Sequence, residues 1–184
     1  MKRALIGIIL SLISLPVYAS SLPDADIKQK IGIGTGVSFS ADFKIDSRVS
    51  LGGSIASPLY QGLFNYGRYD IRLLYKFLDQ NKLSISGLVG VTGNPSFNPK
   101  YYGYPVGGEL GLAFAYQFTP QLAGRLNLVG VAPFNNSNAN WNGYWYGYSG
   151  APSGIELAYK LNSNVELTLG ANGQGDVLGL NFAF

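Results

Sequence analysis

The sequence predicts an all-β protein: a closed antiparallel up-and-down transmembrane β-barrel of eight to ten strands. Three observations support this prediction. Apolar and polar residues alternate with period two after residue 30, short polar turns separate the alternating runs, and only 12% of the residues are charged. Alternation places side chains on opposite faces of a strand. Soluble domains carry about 25% charged residues, so this chain has too few charged residues to cover a surface that faces water.

The chain of 184 residues is long enough for one barrel, and its first 29 residues precede the predicted strands. Lys2 and Arg3 stand before an apolar run that ends in small residues, which predicts a cleaved signal peptide over residues 1–19. We predict that residues 20–29 form an irregular lead-in and that residues 30–184 form the barrel. Cleavage removes two positive charges, so the net charge falls from +3 to +1. Such a balance gives no case for a nucleic-acid partner.

Four hairpins and a terminal strand are predicted from alternation and turn residues. They cover 30–59 (with one long strand from Lys30 to Phe43), 69–91, 110–128, 155–169 and 177–184. These make nine strands, whereas bacterial single-chain barrels have an even number. Two corrections stay open: residues 22–29 supply a tenth strand, or the segment 165–172 does not span and eight remain. The strand from Lys30 is expected to descend from the loop end, with residues 20–29 following the wall or the lumen.

Charged residues within the predicted strands all fall on the small, polar face. An enclosed charge without a partner is costly, so these residues predict a charge network in the lumen. Together with Lys30 and Asp42, its members are Arg68, Asp70, Arg72, Lys76, Glu109, Arg125, Glu156, Lys160 and Glu166. A turn centred on Ser163 places Lys160 directly across from Glu166, a favourable cross-strand pair.

The apolar face is expected to point outward, toward lipid. Aromatic residues gather on this face near the short turns, as in the interfacial belt of membrane barrels; they are Phe43, Phe77, Phe118, Tyr159, Phe182 and Phe184. Strands of about ten residues also match the ~9–11 that a tilted spanning strand needs. Two alternatives stay open: a soluble periplasmic barrel that binds an apolar ligand inside, and a narrow-channel barrel.

The last strand carries the most specific motif. Leu178, Leu180, Phe182 and Phe184 alternate with small or polar residues up to the carboxyl end. This pattern resembles the closing strand of small bacterial outer-membrane β-barrels, in which a terminal Phe is read by the barrel-assembly machinery. The resemblance implies a location in the outer membrane of a Gram-negative-type bacterium. It also implies contact with outer-membrane lipid and lipopolysaccharide, and an assembly signal at these four residues.

Catalysis is not expected. The sequence has neither His nor Cys, and the barrel enzymes of the resembling superfamily depend on a histidine. A carboxylate pair among Glu109, Glu156 and Glu166 is the alternative, but salt bridges in the lumen explain these residues better. Asp24 and Asp26 are more simply solvated than metal ligands. We therefore predict no catalytic residue, no metal and no cofactor.

The last long loop is the candidate binding feature. Trp141, Tyr144, Trp145 and Tyr146 stand among Asn and Gly residues, a composition suited to stacking on sugars or to docking on a protein. An aromatic collar at the outer membrane interface is the alternative. The expected role is structural or interactive, through external loops that contact a surface glycan or a protein ligand.

Overall fold

The computed structural model describes residues 22–34, 37–57, 68–93, 106–134, 153–172 and 175–184. Its elements are strands, and their bounds are β1 (Lys30–Gly34), β2 (Val37–Lys44), β3 (Val49–Ser57), β4 (Arg68–Gln80), β5 (Leu83–Gly93), β6 (Val106–Gln117), β7 (Leu122–Pro133), β8 (Gly154–Lys160), β9 (Val165–Asn172) and β10 (Gly175–Ala183). No helix in these ranges is long and apolar enough to span a membrane.

The ten strands form one closed sheet. Each strand pairs with its neighbour in sequence, and β1 also pairs with β10. The pairings are antiparallel, including the one that closes the ring. Closure satisfies the backbone groups that an edge strand would leave unpaired. The predicted closed antiparallel up-and-down barrel is confirmed, with ten strands.

The predicted continuous strand from Lys30 to Phe43 is wrong. This stretch forms β1 and β2, in which Lys30 pairs with Asp42 and Gly34 pairs with Ser38. Paired residues in this hairpin are both odd-numbered or both even-numbered. Outward residues are therefore odd-numbered in β1 and also in β2. The alternation continues unchanged through the turn between the two strands, so alternation alone cannot reveal the turn.

This reversal also corrects the strand count and the path of the chain. The tenth strand arises because the predicted first strand is in fact two strands, β1 and β2, and not because residues 22–29 form one. The segment Val165–Asn172 is a barrel strand, β9. Lys30 pairs with Ala183, so β1 begins at the end of the barrel that holds the short turns and the carboxyl terminus. The expectation that the strand from Lys30 descends from the loop end is wrong, because β1 leaves the turn end and β2 returns to it.

Polar side chains close the short turns at that end. Asp46 accepts a hydrogen bond from the backbone N–H of Arg48 at 2.6 Å. Thr119 and Asn162 accept backbone N–H groups in two later turns, at 2.8–3.2 Å. In the remaining turn Asn81 adopts a φ of 54°, a left-handed conformation that Asn tolerates better than most residues. Local chemistry therefore fixes the hairpins that the sequence predicts.

The orientation of the two faces is the one expected for a membrane barrel. Phe39, Leu112 and Leu157 expose 47%, 41% and 47% of their surface on the outer wall. Arg72 and Glu109 expose only 1% and 3%, inside. The apolar rows thus surround the barrel and the charges are enclosed, as predicted.

One part of the inner wall is apolar, where a small polar face was predicted throughout. Leu74 and Leu88 are buried and pair directly across β4 and β5. Ala113, Val129 and Val131 continue this buried surface onto β6 and β7. We call these five residues the apolar sector. It lies against the chain segment that precedes β1.

Candidate functional site in the barrel lumen

The residues before β1 lie inside the barrel. We call Leu22–Gln29 the inner segment. Leu22 and Ala25 are fully buried, and Ile27 is 3% exposed. A turn shapes the segment, since the N–H of Ile27 donates to the carbonyl of Asp24 at 3.1 Å. Of the two routes left open for this part of the chain, the described residues follow the lumen.

Apolar contacts hold one side of the inner segment. Ala25 and Ile27 pack in one buried cluster with the apolar sector. Ile27 has a φ of 46°, in the left-handed region that β-branched residues rarely adopt because the side chain crowds the backbone. The surrounding contacts must outweigh this strain, which is of order 1–3 kcal/mol.

An ion-pair cluster around Arg125 holds the other side. The guanidinium of Arg125 contacts Asp24 of the inner segment at 2.8 Å, Glu156 at 2.6 Å and Glu166 at 2.6 Å. Asn181 donates a further hydrogen bond to Glu166 at 3.0 Å. One buried cation thus joins three strands of the wall to the inner segment. Breaking such a network by removing one partner leaves uncompensated buried charge.

Polar groups from four strands also bind the backbone of the inner segment. The side chains of Ser86, Asn127 and Lys30 donate to the carbonyls of Ala25, Pro23 and Leu22 at 2.8, 3.2 and 3.1 Å, and Glu156 accepts the N–H of Leu22 at 3.1 Å. The donors and acceptor belong to β5, β7, β1 and β8. The inner segment is therefore fastened from several directions across the lumen.

Two charged groups of the inner segment, Asp24 and Lys28, stay ionised at neutral pH. Burial raises the pKa of Asp24, but the combined attraction of Arg125, Lys28 and Lys30 outweighs it and holds the pKa well below its ordinary value. The Asp24 carboxylate, 3.3 Å from the Lys28 ammonium, raises the pKa of Lys28. Both groups are on the irregular segment and outside the strands. The contact between Asp24 and Arg125 is therefore a charged pair.

A second cluster surrounds Arg72 on the opposite part of the wall. Arg72 binds Asp42 at 2.9 Å and also pairs with Asp70, which accepts a hydrogen bond from Ser54. A Cβ added at Gly52 would overlap the Asp42 carboxylate. Glycine is therefore required at position 52 so that Asp42 can lie across the neighbouring strand toward Arg72.

Glu109 is the least satisfied of the charged residues on the inner wall. It is 3% exposed, and neither carboxylate oxygen has a hydrogen-bond partner among the described residues. Its side chain extends over Gly90, where an added Cβ would lie 2.6 Å from Glu109 Oε1. Buried polar groups are normally hydrogen-bonded to protein or water. Glu109 is therefore a buried carboxyl group that neither of the two arginine-centred clusters binds through a hydrogen bond within the described residues.

The turn end of the lumen is more open. Lys76 contacts Asp79 at 2.6 Å and Asp26 of the inner segment at 3.9 Å, beside a cavity of about 510 Å³. Lys160 lies directly across from Glu166 in register, as the sequence predicts. The Glu166 carboxylate, however, binds Arg125 and Asn181. The fold therefore decides which opposite charges form contacts.

The predicted lumen residues thus fall on the inner side, divided between two arginine-centred clusters and the turn end. Arg68 joins them as a buried residue, 6% exposed. Of the predicted assembly signal, Leu178, Phe182 and Phe184 are exposed on the outer side of the last strand. Leu180 shares that side and is half-buried. The candidate loop residues Trp141, Tyr144, Trp145 and Tyr146 lie outside the described residues.

Sequence reasoning missed the part played by Asp24 and Ile27. The sequence predicts an irregular lead-in over residues 20–29, with Asp24 solvated and no role for Ile27, yet Asp24 contacts Arg125 and Ile27 contacts the apolar sector. A signal was present in Leu74 and Leu88, two large apolar residues at inward positions of strands whose other inward residues are small or polar. An inward apolar pair requires an apolar partner inside the barrel.

The described polar side chains of the lumen form ion pairs and hydrogen bonds. The described residues contain no group of three or more metal-ligating side chains arranged to hold a metal ion. The carboxylates of Glu156 and Glu166 are both bound to Arg125. In this arrangement the two carboxylates act as ion-pair partners of Arg125.

Comparison with known proteins identifies no family model and no curated protein that matches. Among solved structures, the chain is similar to "KdgM porin in complex with disordered oligogalacturonate", with a TM-score of 0.43 and 15% identity over 91% of this chain and 90% of that one. A second structure of KdgM porin gives a TM-score of 0.40 and 12% identity over 86% and 98%. A mutant porin of Rh. blastica gives 0.34 and 15% over 80% and 43%.

The class of the protein follows from the geometry of its own barrel. Ten antiparallel strands close a ring, apolar side chains cover the outside, and the charged side chains of the strands lie on the inside beside one apolar sector. This is the architecture of the small bacterial outer-membrane β-barrels, which the terminal motif Val177–Phe184 also resembles.

Proposed function

We propose that this protein is an integral β-barrel of the bacterial outer membrane, closed by its own inner segment and carrying a structural or surface-interaction role through its external loops. The observation that carries the location is the exposed apolar wall. Ile71, Leu110 and Ile155 expose 59%, 71% and 62% of their surface. Contiguous apolar surface of this kind is unfavourable in water and suits hydrocarbon.

The dimensions of the wall support the same location. Strands β4, β5, β6 and β7 contain 13, 11, 12 and 12 residues, enough for the ~9–11 residues of a tilted spanning strand. The alternative of a soluble barrel with an apolar ligand inside required the large apolar rows to face the lumen. They face outward, so we do not retain that alternative.

Membrane insertion is tested with an outward residue near the middle of a strand. Leu112→Arg should reduce the amount of folded protein in the outer-membrane fraction, because a cation on the lipid face costs about 2–4 kcal/mol near the midplane. Leu112→Ala is the matched control and should insert. Folding is read from the different migration of unboiled and boiled samples in detergent gels. Equal insertion of both variants, or solubility without detergent, would overturn the proposal.

The interaction role rests on the composition of the last long loop. Glycan and cell-adhesion assays with Trp141→Ala and Trp145→Ala test it, with folding checked by gel migration. Binding that is lost in these variants supports a surface ligand for the aromatic residues. Binding that is unchanged removes the loop from the proposal.

A narrow channel is the second candidate function, and the composition of the inner wall favours it. Arg72, Arg125, Glu109 and Glu156 lie on the inner side of the wall. A hydrated, charged wall can pass ions if its cross-section is open. In the described conformation the inner segment occupies that cross-section.

A further inference from the structure

The inner segment spans the lumen from wall to wall. On one side Ala25 contacts the apolar sector and accepts a hydrogen bond from Ser86 of β5. On another side Asp24 binds Arg125 of β7, and Leu22 donates to Glu156 of β8. With the further contacts of Asp26 to Lys76 of β4 and of Leu22 to Lys30 of β1, the segment lies inside the ring and touches the inner wall on several sides.

The interactions that hold the inner segment differ from those that hold the strands of the wall together. Strands are joined by backbone ladders, such as the eleven paired positions between β5 and β6. The segment has no strand pairing over residues 22–29. Apart from the hydrogen bond from the N–H of Phe184 to the carbonyl of Gln29, the hydrogen bonds and ion pairs described above join it to wall side chains. It can leave the lumen without unpairing any strand of the barrel.

The segment also carries the strained conformation of Ile27, whose φ is 46°. Left-handed β-branched residues persist only where surrounding contacts impose them, and such strain is found in switch segments. Release from the lumen would relieve it. At the turn end the segment is continuous with β1, where the N–H of Phe184 donates to the carbonyl of Gln29 at 3.4 Å, so the chain stays attached there.

We propose that Leu22–Ile27 is a displaceable stopper, and that the barrel conducts small ions when the stopper leaves the lumen. This inference deepens the second candidate function and rests on it. The space now filled by the stopper would become a water-filled path. The wall that remains carries nearly balanced charge, with six basic residues (Lys30, Arg68, Arg72, Lys76, Arg125, Lys160) against five acidic ones (Asp42, Asp70, Glu109, Glu156, Glu166). We therefore expect weak selectivity between cations and anions.

An engineered disulfide can hold the stopper against the wall. The natural sequence contains no cysteine, so the two introduced thiols have no competing partner in the chain. Ala25 O and Ser86 Oγ are 2.8 Å apart, so we choose the double variant Ala25→Cys/Ser86→Cys. The control is Ser38→Cys/Ala56→Cys, a directly paired inner-wall position on β2 and β3. The purified full-length barrels are placed in planar lipid bilayers in potassium chloride. Conductance is then measured before and after reduction with dithiothreitol.

The proposal expects the oxidised Ala25/Ser86 variant to be silent and to open on reduction, while the control conducts like the natural protein in both states. Asp24→Asn, which removes the charged contact with Arg125, should raise the open probability by about tenfold. Equal conductance of the locked and reduced protein would overturn the proposal. The Asp24→Asn variant tests the proposal without a disulfide, and an open probability equal to that of the natural protein would overturn it.

Gel migration separates this inference from the proposed location. A barrel that folds and inserts but stays silent in the Asp24→Asn and reduced variants refutes the stopper and leaves the membrane barrel intact. A protein that does not insert at all refutes both.

Discussion

Asp24 Oδ2 lies 2.8 Å from Arg125 Nη2, which joins two residues 101 positions apart in the chain. Arg125 binds two further carboxylates on the wall, so a single buried cation links the inner segment to β7, β8 and β9. This contact turns an irregular segment into part of the barrel interior. Several predictions depend on it or on the packing beside it.

Removal of the central cation should destabilise the barrel strongly. Arg125→Met leaves Asp24, Glu156 and Glu166 without their shared partner, and breaking a buried pair from one side costs about 3–5 kcal/mol. Urea unfolding of the detergent-folded protein, followed by gel migration, measures the change. Lys160→Met, at a half-exposed position of the inner wall, is the control and should change stability far less. A similar loss in both variants would show that Arg125 has no special role.

The charged contact should persist through mild acid. The pKa of Asp24 lies well below its ordinary value of about 4. A depressed carboxylate pKa stabilises the folded state above the unfolded value, and the contribution is lost as the pH falls through the folded value. The contribution of Asp24, taken as the urea midpoint of the natural protein minus that of Asp24→Asn, should therefore stay constant from pH 7 to 5. It should fall only in stronger acid. A difference that already shrinks between pH 7 and 5 would contradict the assignment.

The apolar sector should matter more than the outer wall next to it. Leu74→Ala opens a cavity against the inner segment and should cost about 2–5 kcal/mol. Leu73→Ala, on the adjacent residue that is 38% exposed outside, should cost less because detergent or lipid can fill the space. Both changes are measured by urea unfolding in the same detergent. A larger loss of stability for Leu73→Ala than for Leu74→Ala would contradict the packing of Leu74 against the inner segment.

Two glycines, one on β3 and one on β5, should respond differently to alanine. At Gly52 the new methyl group would overlap the carboxylate of Asp42 and push it away from Arg72, whereas at Gly87 no atom lies within 4 Å of an added Cβ. Gly52→Ala should destabilise by about 1–3 kcal/mol, and Gly87→Ala should be tolerated. Thermal unfolding followed by gel migration compares them. Equal effects would show that Asp42 does not depend on Gly52.

The carboxyl-terminal residue should affect assembly more than stability. If the assembly machinery reads the last strand, Phe184→Ala should lower the amount of barrel in the outer membrane in cells. The same variant should refold in detergent almost as well as the natural protein. Phe43→Ala, an aromatic residue exposed at the same end, is the control for a general loss of the belt. Equal cellular levels for the two variants would argue against a terminal signal.

The sequence was sufficient for the faces of the wall because strand geometry is local. Successive side chains point to opposite faces, so the apolar character of Phe39 and Leu112 and the charge of Arg72 already fix their sides. The turns were also predictable, since Asp46, Thr119 and Asn162 act on N–H groups within three residues. The hairpin between Lys30 and Asp42 was not, because a reversal that keeps parity leaves alternation unchanged.

By itself, the sequence determined an antiparallel barrel with outward-facing apolar rows and enclosed charges. Only the tertiary structure decided that the ring has ten strands, that Glu166 binds Arg125 although Lys160 is its register partner, and that the inner segment enters the lumen. The physical reason is the sequence separation over which each interaction acts. Alternation and turn chemistry act between near neighbours, whereas the contact of Asp24 with Arg125 depends on closure of the whole ring, which brings together residues that no local pattern relates.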